Sequence, residues 1–219
     1  MSHDNHIQAG EVRRRILDEA IRLFGSNGFE GTSLQAIAES VGIRKQSLLY
    51  HFNSKKTLRE AVNDDLMQHW SRELPRLLSD TASGHDRFAD MITALVDFFL
   101  DDENRARHVV REMLDRPEGA PELVRQHLRP WLDLITNYIR LGQRSDVIKS
   151  DVDPESYVFQ VMMMVIGTVA MGRTADDFFP QKKRTNLAPR IAELVRVARE
   201  SLFVDPSSPS LSAKRRSDG

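Results

Sequence analysis

Apolar residues recur every three or four positions along almost the whole of this chain, and strand-like alternation is nowhere sustained. That periodicity restricts the fold to helices packed on helices. Helix stops then divide the chain. Asn27-Gly28 ends a first amphipathic helix, expected from about Glu11 to Ser26, whose buried stripe is Ile16, Leu17, Ala20, Ile21 and Phe24. Ser33 is placed to cap a second helix carrying Ile37, Ala38 and Val41. Gly42 breaks it, and a third short helix follows with Ile43, Leu48 and Phe52 on its apolar side. A fourth is expected from near Ser54 through Leu58, Val62 and Leu66 towards Trp70, ending near Pro75.

Further helices are expected over about Asp86–Leu100 and Asn104–Leu114, then from Pro121 to Gly142 with a kink at Pro130. Asp153-Pro154 opens another, as a cap followed by proline at the first helical position, and the last spans about Ala188–Phe203. The expected class is all-α, with about nine helices. Residues 1–10 and 205–219 are expected to be disordered. Residues 11–55 make a small N-terminal unit and 56–204 a larger helical body, with the fourth helix running unbroken between them.

Charge is distributed unevenly. The formal net charge is only −1, yet Ser40 to Arg59 holds five Lys or Arg residues and no Asp or Glu. Such a segment presents a local field to polyanions. On the side of the third helix away from its apolar face lie Arg44, Lys45, Gln46, Ser47, Tyr50 and His51. Long polar and cationic groups of this kind read base edges and grip phosphates. A charge cluster alone is ordinarily a solvated face; two short helices about a glycine turn point instead to double-stranded DNA. Phe52 is expected in the core and Tyr50 outside it.

The elements combine in a specific order. Ile16, Ala20, Phe24 and Gly28 are followed by Ser33, Ile37, Ala38, Gly42 and Ile43, then by Leu48, Tyr50, His51, Phe52, Lys55 and Leu58. Over about the first sixty residues this concatenation resembles the tetracycline-repressor (TetR) family of transcriptional regulators. One position departs from the pattern: Leu49 stands where the family usually has a tyrosine, and Tyr50 comes next. The resemblance implies a homodimer on a palindromic operator, its recognition helices entering major grooves about 34 Å apart. It implies phosphate contacts for Ser33 and Lys55, phosphate or sugar contacts for Tyr50 and His51, and base reading by Arg44, Lys45, Gln46 and Ser47. Gln35 matches a position that reaches a base, and its amide suits adenine.

The body invites two assignments. Met113, His127, Trp131, Tyr138, Phe159 and Met163 are candidates for a pocket that takes a small apolar or amphipathic effector, although core packing accounts equally for the aromatic members. Met164, Gly167, Ala170 and Met171, with Ile191, Leu194, Val195, Ala198 and Leu202, are candidates for a four-helix dimer seam. The implied function is a repressor released by ligand; an effector-independent regulator, an activator, or a helical enzyme or scaffold are the alternatives.

Other classes find little support. The chain has 40% hydrophobic and 29% charged residues, and no apolar run reaches membrane-spanning length. The first ten residues lack the apolar region of a leader, and there is no cysteine for disulfide or thiol chemistry, which together suggest the cytoplasm. HExxH, GxSxG, P-loop and GxGxxG patterns are missing, so no catalysis, cofactor or metal is expected. His108 and Glu112, four residues apart, are expected to be a surface pair, and Asp101-Asp102-Glu103 a cap or turn.

Overall fold

The computed structural model describes residues 2–79, 84–116, 118, 125, 129–172, 174 and 187–204. Among them nine α-helices follow one another: α1 (Ser2–Asn27), α2 (Leu34–Val41), α3 (Lys45–His51), α4 (Lys55–Ser79), α5 (Gly84–Asp101), α6 (Glu103–Asp115), α7 (Arg129–Arg144), α8 (Pro154–Ala170) and α9 (Ala188–Leu202). The β pairing among the described residues is one isolated bridge, Ile148 with Phe203, which ties the end of α9 to the turn after α7.

Local chemistry sets the ends of the N-terminal helices. Ser33 Oγ accepts from the Ala36 amide at 3.0 Å, satisfying one of the donors that the first turn of α2 leaves unpaired. At the other end Gly42 adopts φ 77° and its amide returns to the Glu39 carbonyl at 3.0 Å. This left-handed conformation turns the chain sharply into α3, and only glycine enters it without steric cost. Ile37, Ala38, Val41, Leu48 and Phe52 are then buried with the α1 stripe in one core, which continues along α4 through Leu58, Val62 and Leu66.

Several boundaries differ from expectation for identifiable reasons. α1 begins at Ser2, so 2–10 is helix rather than a disordered leader; once a helix is nucleated, each added residue gains a hydrogen bond, and Gly10 alone does not stop it. Pro75 lies inside α4 instead of ending it, because a proline removes a single helical hydrogen bond while its fixed φ remains helical. Pro130 is the second described residue of α7. The part of that expected helix before Arg129 falls mainly outside the described residues, and the tail 205–219 does so entirely. Asp102 caps α6, its Oδ1 accepting from the Asn104 amide at 3.0 Å, and Asp153 caps α8 by accepting from the Ser156 amide at 2.8 Å.

α1 packs against α6 as well as against α2 and α4. The approach is close enough that a Cβ on Gly25 would sit 2.8 Å from the Asn104 carbonyl oxygen. Arg111 of α6 fastens the contact: Nε donates to the Gly25 carbonyl at 3.0 Å and Nη2 to the Ser26 carbonyl at 3.1 Å. These are last-turn carbonyls that α1 cannot satisfy itself, and a cation suits the negative end of the helix dipole.

Gly42 offers a clean test of the turn, since a Cβ there would meet nothing within 4 Å. Gly42→Ala is therefore expected to cost only conformational strain, about 1 kcal/mol, and to lower the thermal midpoint by about 2–4 °C. An unchanged midpoint would show that the left-handed turn does not constrain the pair of helices.

Candidate nucleic-acid interface and ligand cavity

Arg44, Lys45, Gln46 and Ser47 stand exposed at the start of α3, and Tyr50 one turn further on is 86% exposed. A phenol so far out of the core has no packing role in the isolated chain. Leu48 and Phe52, on the opposite side, are buried at 0% and 3% exposure. His51 is half-buried and meets Tyr50 edge-to-face at 5.5 Å between ring centres. Leu49 is half-buried, so this side chain belongs to the edge of the core more than to the outer face of α3.

Ser33 is exposed, and its Oγ is occupied as an acceptor by the α2 cap, which leaves its own O–H to donate outward. Gln35 is exposed and donates from Nε2 to Glu39 at 2.7 Å. Lys55, at the first position of α4, holds its ammonium 4.2 Å from the centre of the Phe29 ring, an attraction that fixes the charge near the α1–α2 connection. Arg59 shares the opposite role. It is 5% exposed, lies 4.3 Å from the Phe29 ring and faces Glu112 at 3.9 Å, so it is withdrawn from the basic surface.

The body encloses a cavity of about 160 Å³. α4 contributes Asn63, Leu66, Met67 and Trp70; α5 contributes Phe88, Ile92 and Phe99; α6 adds Val109, Glu112 and Met113. α7 supplies Trp131, Leu132, Ile135 and Tyr138, while Tyr157, Val158, Val161, Met162 and Ile166 come from α8. Met113, Trp131 and Tyr138 are thus brought together on its wall. Phe159 and Met163 are not: Phe159 is 57% exposed on the outer side of α8, and Met162 is the methionine of the run that reaches the cavity. A helix turns by about 100° per residue, so Val161 and Met162 can both face the cavity while Met163, one position further on, is carried past its edge. His127 lies outside the described residues.

Three candidates for the seam also fall elsewhere. Ala198 and Leu202 are 0% and 1% exposed and Leu194 is 8% exposed, all inside this protomer's own core. The Ala198 carbonyl accepts from the Tyr157 hydroxyl at 2.7 Å, locking α9 onto α8. Met164, Gly167, Ala170, Ile191 and Val195 are half-buried, and Met171 is 50% exposed.

His108 and Glu112 are not a surface pair. They are 1% and 9% exposed, and together with Asn63 and Arg59 they form a polar chain between the cavity and α1. His108 Nε2 donates to Asn63 Oδ1 at 2.9 Å, Asn63 Nδ2 donates to Glu112 Oε2 at 3.4 Å, and the His108 ring stacks on Phe24 at 6.0 Å. Burial, aided by the nearby Arg59 charge, pushes the imidazole down to about 4, so it is neutral in the folded chain. Helical spacing signals such a pair equally whether it faces water or core. Among the described residues there is no group of three ligands able to hold a metal, and no helix is long and apolar enough to cross a membrane.

Residues 16–62, from the α1 stripe into α4, match the family described as bacterial regulatory proteins, tetR family. Over that N-terminal segment the chain is similar to the tetR family. It is similar to IcaR of Staphylococcus aureus, the HTH-type negative transcriptional regulator of the biofilm operon icaADBC, with 51% identity over 49 residues, or 22% of this chain. That match spans about a quarter of IcaR (26%). The HTH-type transcriptional regulator UidR of Escherichia coli is 26% identical over 157 residues, covering 71% of this chain and 76% of UidR. The ketosteroid transcriptional regulator KstR2 of Mycobacterium tuberculosis shares the fold, with a TM-score of 0.68 at 13% identity over 88% of this chain and 95% of KstR2. These matches place a helix-turn-helix of the tetR-family kind at residues 16–62.

The buried histidine makes stability depend on pH. Its folded-state value lies below the ordinary 6.5, so the unfolded chain takes up a proton first as the solution is acidified. The His108 contribution is complete above about pH 6.5 and is lost progressively towards pH 4, amounting to about 3 kcal/mol. Denaturant titrations of wild type and His108→Gln over that range should show the wild-type slope flattened in the variant. Parallel pH profiles would refute the assignment.

Proposed function

We propose that the chain is a homodimeric repressor that binds a palindromic operator through α3 and is released when a small apolar or amphipathic molecule occupies the cavity. The observation that carries this reading is α4. Its first turn holds Lys55 beside the helix-turn-helix, and its middle turns place Asn63, Leu66, Met67 and Trp70 on the cavity wall. A ligand that favours one arrangement of α4 and α6 therefore biases the position of α1–α3, and its leverage equals its difference in affinity for the two arrangements.

On the DNA side, Arg44, Lys45, Gln46 and Ser47 read bases, with Gln35 reaching from α2. Ser33, Tyr50, His51 and Lys55 bind phosphates or sugars, and the amide-rich start of α2 adds its dipole to the Ser33 contact. Tyr50 takes the outward position that Leu49 leaves empty. The repressor sign is suggested by the similarity to IcaR, a negative transcriptional regulator.

The dimer seam is proposed along α8 and α9. Phe159, Met163, Gly167 and Met171 recur at helical spacing on the outer side of α8, and a Cβ on Gly167 would meet nothing within 4 Å. Met164, Ala170, Ile191 and Val195 flank that stripe, and an exposed apolar face of this kind marks an association surface.

Two outcomes test the proposal. Against a duplex selected from a random pool, Lys45→Ala and Tyr50→Ala should each weaken binding at least about tenfold with unchanged circular dichroism. Wild-type affinity should fall steeply with salt; full binding by both variants would remove α3 as the reader. Phe159→Glu should convert the dimer to monomer in analytical ultracentrifugation and abolish binding to the two-half-site duplex. A dimer that survives this change would place the seam elsewhere.

A further inference from the structure

Glu112 is the one charged residue on the described cavity wall, and its carboxylate is incompletely satisfied. The residue is 9% exposed, so water does little for it. Its contacts among the described residues fall on one oxygen: Oε2 accepts from Asn63 Nδ2 at 3.4 Å and faces Arg59 Nε at 3.9 Å. Both lie at the long end of their kind. Oε1 has no partner among the described residues, although an ionised carboxylate offers about four lone-pair sites. A charge buried on such terms is costly unless something completes its coordination.

The neighbours do not complete it. Arg59 is not part of the cavity wall, and its guanidinium carbon lies over the Phe29 ring on the side towards α1. Asn63 is committed at both ends, accepting from His108 and donating to Glu112. The rest of the wall is apolar or aromatic, with Trp70, Trp131, Tyr138 and Tyr157 presenting four π-systems around the carboxylate's chamber. Aromatic faces attract cations and repel anions, and they do so more strongly where water is excluded.

We infer that the effector is an amphipathic amine, its apolar body held among these rings and its protonated nitrogen donating to Glu112 Oε1. This rests on the reading of the cavity as the effector site and narrows it to a chemical class. A carboxylate-headed amphipath of the same length would bring like charge to Glu112. A neutral alcohol would supply one hydrogen bond without charge complementarity, and a charge-assisted bond is roughly twice as strong as a neutral one.

The chain reports on its own cavity, because its two tryptophans, Trp70 and Trp131, both line it. Intrinsic fluorescence and thermal midpoint are to be followed while the full-length protein is titrated with n-octylamine, 1-octanol or sodium octanoate. Octylamine is expected to bind at least about tenfold more tightly than octanol, with octanoate weakest. In Glu112→Gln, which keeps an acceptor for Asn63, the preference for the amine should vanish while octanol affinity is retained. Octylamine should also release the wild-type protein from its selected duplex at concentrations where octanoate does not.

Octanol binding as tightly as octylamine, or an amine preference that survives Glu112→Gln, would overturn the amine inference and leave the cavity as an effector site. No response to any of the three probes would overturn both. If Glu112→Gln does not fold, the wild-type ranking of the three head groups decides the question by itself.

Discussion

The contact between α1 and α6 holds the helix-turn-helix unit to the helical body. α2 and α3 are packed on the α1 stripe, so the orientation of α1 is the orientation of everything that faces DNA. α1 is in turn seated on α6 by the bare backbone of Gly25 and by Arg111, which takes two of its last-turn carbonyls. Because α6 also presents Glu112 and Met113 to the cavity, the surface that seats α1 and the cavity wall are two sides of one helix.

The buried polar chain gives that contact its character. An apolar seam between α1, α4 and α6 would tolerate sliding, since dispersion and burial are not directional. Arg59, Glu112, Asn63 and His108 instead require particular distances, and displacing any one leaves a buried polar group unpaired at about 1–3 kcal/mol. A seam of this kind favours a small number of discrete arrangements over continuous deformation, which suits the switching proposed for this chain.

Much of the fold was legible because its signals are local. Ser33, Gly42, Asp102 and Asp153-Pro154 act within a turn of their own position, and each caps or breaks a helix through bonds to its immediate neighbours. The exposed face of α3 was legible for the same reason: Leu48 and Phe52 fix the buried side, which leaves Arg44 to Ser47 and Tyr50 outside. The body was read less well. Apolar periodicity shows which side of α9 is buried but not what buries it, so Ala198 and Leu202 pack inside the protomer although they match a subunit seam equally. Phe159 shows the converse, an aromatic side chain assigned to the interior that faces outward from α8.

The amino-acid sequence by itself determined the helical class, the cap chemistry and the order of elements that residues 16–62 share with the tetR family, all of them consequences of interactions spanning a few residues. Only the tertiary structure decided that Arg59 leaves the basic surface, that His108 and Glu112 are buried partners, and that α4 to α9 together line a cavity. Those outcomes depend on residues far apart in the chain, and burial by a distant helix leaves no mark on the spacing of the residues it covers.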